Sequence, residues 1–409
     1  MIKLIYIFIF CTLLAAAYSS IYKPGDDKTA KPKKTYSRKL GDELVNVRVL
    51  SQTKATAILI APQKGKYELI ADGKNLMELD EQAILKATLI NDSIELKTFE
   101  KVIGKCKTFK LFSFSEVCNF KLKVVDPDRK PRFFDDNTTI SIENNHLRII
   151  NHIWIDHYIA GVSEAEAGSR SSIEFYKVQS ILARTYALAH LYKHGPEGYN
   201  LCDQVHCQAF YGRTQDISIL EAVYSTKGQV VVDENLQLIT AAFHSNSGGQ
   251  TVNSEDVWGS KTTYLKAVND SFSFKMPNAR WERKMPAEDW LTYLKIKHKF
   301  PSDDSLSKNF ALHFKQEYRK INFEYAGFKI PLKTVRTDLQ LKSTFFSLEQ
   351  NANGDTIVFK GRGFGHGIGM CQEGAMRMTK LGYNYKEVLS FYYKNVNLIN
   401  LKELNFFKE

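Results

Sequence analysis

Hydrophobic and polar residues alternate in short runs between Val45 and about Ile150. Val47-Arg48-Val49-Leu50, Ala57-Ile58-Leu59-Ile60, Tyr67-Glu68-Leu69-Ile70 and Thr139-Ile140-Ser141-Ile142 are examples. Turn formers such as Asp72-Gly73 and Glu143-Asn144-Asn145 separate such runs, which predicts strands. The period changes at Ser171. Phe175, Val178, Leu182, Ala189 and Tyr192 recur at helical steps, Ser171 and Glu174 have capping-box spacing, and Gly195-Pro196 closes the pattern. The spacing predicts a helix over 172–193. Strand-like segments return at Gln229–Val232 and Leu238–His244. Residues 270–345 are less regular and richer in charge, as in an insertion or a small subdomain. After a glycine-rich turn, helical patterns follow at Glu373–Leu381 and Tyr385–Tyr393. The predicted class is α+β: a β-rich region over 41–145 and a mixed α/β domain over 146–400.

The first twenty residues change the picture of where the protein works. Lys3, the apolar run Leu4 to Leu14, and Ala15-Ala16-Ala17-Tyr18-Ser19 have the layout of a signal peptide over 1–19. An uncleaved N-terminal anchor is the alternative, while Phe10 before Cys11 argues against a lipoprotein. No other stretch is long and apolar enough to span a bilayer. Export to the periplasm, cell envelope or exterior is therefore expected. Residues 20–40 read as a linker holding Lys28, Lys31, Lys33, Lys34, Arg38 and Lys39. The net charge of +11 suits an anionic wall or membrane surface. No nucleic-acid module is visible, and export argues against that partner.

Four segments carry chemistry. In Tyr158-Ile159-Ala160-Gly161-Val162-Ser163-Glu164-Ala165-Glu166-Ala167-Gly168, two carboxylates stand among small residues; apolar surroundings would raise a glutamate's pKa toward general-acid use. Cys202-Asp203-Gln204-Val205-His206-Cys207 gathers thiolates and an imidazole suited to zinc, with Cys202, His206 and Cys207 as ligands. A Cys202–Cys207 disulfide, or buried free thiols, would explain the same residues. Cys106 and Cys118 could close a disulfide hairpin in an oxidising compartment. Phe243-His244-Ser245-Asn246-Ser247-Gly248-Gly249-Gln250-Thr251 lacks a nucleophile elbow and reads as a polar substrate-binding loop. Gly361-Arg362-Gly363-Phe364-Gly365-His366-Gly367-Ile368-Gly369-Met370 matches no nucleotide loop; alternating glycines permit close backbone approach beside Arg362 and His366. A tight structural turn feeding the last helices would need the same glycines.

Together and in order, these segments resemble the SpoIID/LytB family (stage II sporulation protein D and the amidase-enhancer proteins) from about Asn151 to Val396. Gln179-Ser180-Ile181-Leu182-Ala183-Arg184-Thr185-Tyr186-Ala187, Asp256-Val257-Trp258-Gly259, Tyr264-Leu265 and Tyr392-Tyr393 are further landmarks. The resemblance implies lytic transglycosylase activity on peptidoglycan. The family glutamate lies in a Gly-Val-x-x-x-Glu-Met-Pro element, so Gly161-Val162 puts Glu166 at the catalytic position and Glu164 two residues early. Ala167-Gly168 stands where the family has Met-Pro. Met370-Cys371-Gln372 replaces Met-Ser-Gln, leaving a weaker donor. Zinc at the Cys/His segment, in a structural role, is what the resemblance implies for a cofactor.

The substrate-binding set expected beside Glu166 is Arg184, His244, Ser245, Ser247, Arg362, His366 and Gln372. Arg362 would pair with a muramic lactyl carboxylate, and His366 would orient a hydroxyl or supply a missing metal ligand. Hydrolases that use water generally need two carboxylates. A lytic transglycosylase instead uses the muramic 6-hydroxyl as nucleophile and leaves a 1,6-anhydro end. One glutamate then suffices as acid and base. Two other readings remain open: a non-catalytic, glycan-binding activator of a cell-wall amidase, favoured by the altered Met-Pro element, and a zinc hydrolase.

Overall fold

A computed structural model of the chain describes residues 44–401 except 114 and 116. The signal segment 1–19, Cys11 and the basic linker 20–40 lie outside the described residues. No helix among the described residues is long and apolar enough to cross a membrane.

The predicted strands form two sheets. One has seven strands, in the order Leu201–Cys202, Leu44–Val49, His146–Trp154, Asn137–Glu143, Thr108–Phe112, Tyr67–Ala71 and Lys74–Leu79. The other has six, running from Arg132–Asp135 through Asn119–Asp126, Ala57–Lys64, Leu85–Ile90 and Ser93–Lys97 to Val102–Cys106. Every second residue of Leu44–Val49 and Tyr67–Ala71 is buried, as a half-covered sheet requires. Asn144 and Asn145 both adopt positive φ in the tight turn closing Asn137–Glu143 onto His146–Trp154. The thiols of Cys106 and Cys118 are buried and free, so the expected disulfide is absent. Cys106 ends the edge strand of the six-stranded sheet, its Sγ against the Ile94 carbonyl, whereas Cys118 precedes Asn119–Asp126, which lies four strands away in the same sheet.

The strand His146–Trp154 runs straight into α1 (Ile155–Ala167). This helix carries the Gly-Val segment that the sequence placed only before the long helix. Next comes α2 (Ile173–Ala189), four residues shorter at its C-terminal end than predicted. Its cap is Ser172, which accepts the Phe175 N–H; the Ser171 hydroxyl is buried without a partner among the described residues. Then follow α3 (Ile217–Ser225) and the short α4 (Ser254–Trp258). Aromatic contacts carry one core from the sheets to α1: Tyr67 on Phe120, Phe120 on Phe134, Phe134 on Phe210 and Phe210 on Tyr158, with centroids 5.1 to 6.3 Å apart.

Residues 270–345 prove more regular than predicted. The strand Arg280–Pro286, helices α5 (Ala287–His298), α6 (Ser305–Leu312) and α7 (Leu332–Asp338), and the hairpin Asn322–Tyr325/Phe328–Pro331 pack with Phe346–Gln350 and Thr356–Arg362. They surround a second hydrophobic core centred on Trp290, whose indole N–H donates to the Ala311 carbonyl. The chain ends its described part with α8 (Gln372–Lys380), α9 (Tyr385–Tyr392) and the strand Val396–Asn400. A capping box from Asn384 and Glu387 starts α9.

Gly161 lies where α1 meets the 210–212 segment. A Cβ there would fall 2.2 Å from the Gly212 carbonyl oxygen and 2.5 Å from a Phe210 ring carbon. Alanine gains about 1 kcal/mol over glycine in a helix, but overpacking of this kind costs about 1–3 kcal/mol. Gly161→Ala is therefore expected to lower stability in chemical denaturation. A raised midpoint would show that the 210–212 backbone yields.

Candidate functional site

Glu166 occupies the last turn of α1. Its Oε1 accepts the Ala209 N–H at 2.8 Å, while Oε2 takes no hydrogen bond from the described residues. Burial pushes its carboxyl above the usual range, and the Ala209 amide opposes that only in part. Glu164 does not face it: residues two apart on a helix are turned by about 200°. Behind Glu166, the Gln372 side chain at the start of α8 donates to the Glu166 carbonyl and to Gln179 Oε1, both at 3.3 Å.

The polar loop and the glycine-rich loop meet at α8. Phe243–His244 pairs in parallel with Met370–Cys371. Ser245 gives its carbonyl to the Glu373 N–H, and Ser247 Oγ donates to the buried Asp270 carboxylate at 2.7 Å. Cys371 acts as an acceptor: Sγ takes the N–H groups of Ser247 and Gly374, each at 3.2 Å, and so caps α8. Burial beside Asp270 holds its thiol protonated. Glycine is required where the loops cross, since a Cβ on Gly369 would fall 2.1 Å from the Ala242 carbonyl and one on Gly365 2.8 Å from His244 Cβ.

The expected residues are only partly brought together. Gln372 touches Glu166, and Ser245 lies one hydrogen bond from the neighbouring Glu373. Arg184 is 1% exposed on α2, bonded to Asp156 and to the Val223, Thr226 and Gln229 carbonyls, so it faces the core. Ser247 is likewise buried. Arg362 stacks on Phe345 at 3.7 Å and donates to the Gln316 and Glu317 carbonyls, on the side of the insertion. His366 Nδ1 accepts the Ile368 N–H at 3.0 Å, which turns the ring onto its own loop. Its ring lies against His244 and Trp258, far from the Cys/His cluster in sequence and in contacts.

That cluster is completed instead by His194, which the sequence reading missed. His194, Cys202, His206 and Cys207 each offer one ligand atom, all within 4.8 Å of one another, and they could hold a metal ion. Cys202 Sγ lies 3.6 Å from His206 Nδ1, and Cys207 Sγ lies 3.4 Å from His194 Nε2. Glu197 bonds His194 Nδ1 at 2.7 Å, which leaves Nε2 as the free lone pair aimed at Cys207. Both cysteines are free thiols, so the alternative disulfide is not formed. The nearest signal in the sequence was His194 beside Gly195-Pro196, a turn that folds back onto the loop.

The model of the family described as stage II sporulation protein, SpoIID, matches residues 143–232, the span holding α1, Glu166 and the Cys/His cluster. That match, together with relatives named for stage II sporulation protein D and amidase enhancer, supports the SpoIID/LytB family. It is 28% identical over 265 residues to "Stage II sporulation protein D" of Bacillus subtilis, covering 61% of this chain and 75% of that one. An "Amidase enhancer" of Bacillus subtilis is 29% identical over 59% of this chain and 40% of its own. An uncharacterised protein of Brachyspira hyodysenteriae is 26% identical over 64% of this chain and 71% of that one. These likenesses support a cell-wall related function for this chain.

Because His366 Nδ1 accepts the N–H of the buried Ile368, His366→Ala leaves that N–H unsatisfied. The expected result is a loss of about 1–3 kcal/mol of stability, read as a lower thermal midpoint. An unchanged midpoint would show that the ring does not hold the two loops together.

Proposed function

We propose that the protein is a peptidoglycan lytic transglycosylase in which Glu166 is the single acid/base. The observation that carries the reading is a carboxyl pushed up by burial, anchored through one oxygen and free through the other, with Glu164 turned away. Protonated Glu166 gives its proton to the glycosidic oxygen as the bond from muramic C1 breaks. The resulting carboxylate then takes the proton of the 6-hydroxyl as that oxygen closes on C1, leaving a 1,6-anhydro end. Gln372 fixes the helix end from behind, a positioning role. The amidase-enhancer likeness and Ala167-Gly168 favour one other reading, a protein that binds glycan and stimulates a cell-wall amidase.

Glu166→Gln is nearly isosteric and is expected to abolish anhydro-muropeptide release, read by mass spectrometry, with the fold intact; Glu164→Gln keeps most activity. Because the acid must be protonated, cleavage should persist above the usual carboxylate pKa and fall as pH rises through the raised Glu166 value. Equal loss in both variants, or cleavage by Glu166→Gln, would sink the assignment.

We further propose that His194, Cys202, His206 and Cys207 hold zinc in a closed two-thiolate, two-imidazole set suited to a structural site. The ion would neutralise the two thiolates and fix the loop that presents the Ala209 amide to Glu166. Elemental analysis of protein purified without added metal should find about one zinc per chain. Cys207→Ser should lose the metal and lower the thermal midpoint. Metal-free protein of unchanged stability would overturn this.

A further inference from the structure

Tyr211 is the exposed aromatic of the loop that anchors Glu166. Phe210 turns its ring inward onto Tyr158 and Phe134, whereas Tyr211 is 59% exposed. The residues on either side of it are fixed. Phe210 is fully buried, and Gly212 lies so close to the strand Arg132–Asp135 that a Cβ would fall 2.2 Å from the Phe133 carbonyl oxygen. Arg213 then donates its N–H to that carbonyl at 2.7 Å and its Nε to Asp135 at 2.8 Å. The backbone at Tyr211 is thus held from both ends, and the exposed ring is presented from a rigid base.

The ring has one partner. Arg132, on the edge strand of the six-stranded sheet, places its guanidinium carbon over the ring, 5.4 Å from the centroid. Its Nη1 reaches Asp203 at 3.5 Å, but the Asp203 oxygens already accept the Leu50 and Ser51 amides. Nε and Nη2 of Arg132 donate to nothing among the described residues. A tyrosine ring with spare guanidinium donors beside it suits a sugar. The apolar C–H face of a pyranose stacks on the ring, and the N–H groups reach hydroxyl and acetamido oxygens.

Exposed tyrosines also occur at Tyr192 and Tyr318, and a single one needs no explanation. Tyr211 differs in its fixed backbone, its guanidinium partner and its place. The Glu166 carboxyl is 2.8 Å from the Ala209 nitrogen, so the Tyr211 Cα lies no more than about 12 Å from it, within reach of a disaccharide.

We propose that Tyr211 and Arg132 form a binding site for a neutral N-acetylhexosamine ring of the glycan, next to the bond that Glu166 cleaves. Arg132 makes the β-rich region part of substrate recognition. The site rests on the glycan reading above for the choice of sugar.

The probe is the N-acetylglucosamine tetramer, a chain of such rings with no acid and no stem peptide, bound to the protein and followed by calorimetry. Tyr211→Ala should weaken binding about tenfold, with the thermal midpoint unchanged because the side chain is largely exposed. Tyr211→Phe should bind as the wild type does, since stacking needs the ring and not the hydroxyl. Arg132→Gln should weaken binding about threefold or more. On glycan strands, Tyr211→Ala should raise KM and leave kcat little changed. Undiminished tetramer binding in Tyr211→Ala, equal loss in Tyr211→Phe, or no binding by the wild type would overturn the site. The catalytic reading fails separately: a protein that loses the tetramer in Tyr211→Ala but releases no anhydro product keeps the site and refutes only the cleavage.

Discussion

The hydrogen bond from the Ala209 amide to Glu166 Oε1 joins two parts of the chain that have separate reasons to be rigid. On one side is α1, pinned at Gly161 by its close approach to Phe210 and Gly212. On the other is the loop after Leu201–Cys202, closed by His194, Cys202, His206 and Cys207. A carboxylate in a partly buried place keeps a raised pKa only if neither water nor a second donor reaches its anchored oxygen. Burial sets the direction of the Glu166 shift, and the Ala209 amide limits it while fixing one oxygen in place. A closed Cys/His set in a loop two residues from the amide has a purpose even if it never touches a sugar.

Much of this organisation was legible from periodicity. The alternation in 45–150, the helical repeat in α2 and the patterns of α8 and α9 each follow from which face must be buried. The failures have physical causes. Helix α1 escaped notice because His146–Trp154 passes into it without a glycine or proline break, so its stripe of Ile155, Tyr158, Ile159 and Val162 runs on from the strand's own apolar residues. The insertion looked irregular because its core is aromatic and non-local, with Trp290, Phe323 and Phe359 meeting from distant segments. Arg184 looked like a ligand residue because an arginine in a motif suggests recognition. Its environment shows a helix-packing cation that answers Asp156.

The glycine-rich loop shows a similar division. Its alternating glycines do permit close approach, but what approaches is the chain's own backbone at Ala242, Asn246 and Val252. Cysteine at 371 works in this crossing because the position needs an acceptor for two N–H groups more than it needs a donor. His194, by contrast, could not be read from spacing. It stands in a turn after α2, and only tertiary folding carries it to the thiols.

The sheet pairing also says something about modularity. His146–Trp154 is hydrogen-bonded on one side to Asn137–Glu143 and on the other to Leu44–Val49, which in turn pairs with Leu201–Cys202 beside the Cys/His cluster. A cut near residue 145 would strip both neighbours from a nine-residue strand and bare its amides and carbonyls as an open edge, a template for self-association. The β-rich region is thus no detachable accessory. Evolution could lengthen its hairpins freely, but could not discard the strand at Leu44–Val49 without unseating the loop that bonds Glu166 on α1.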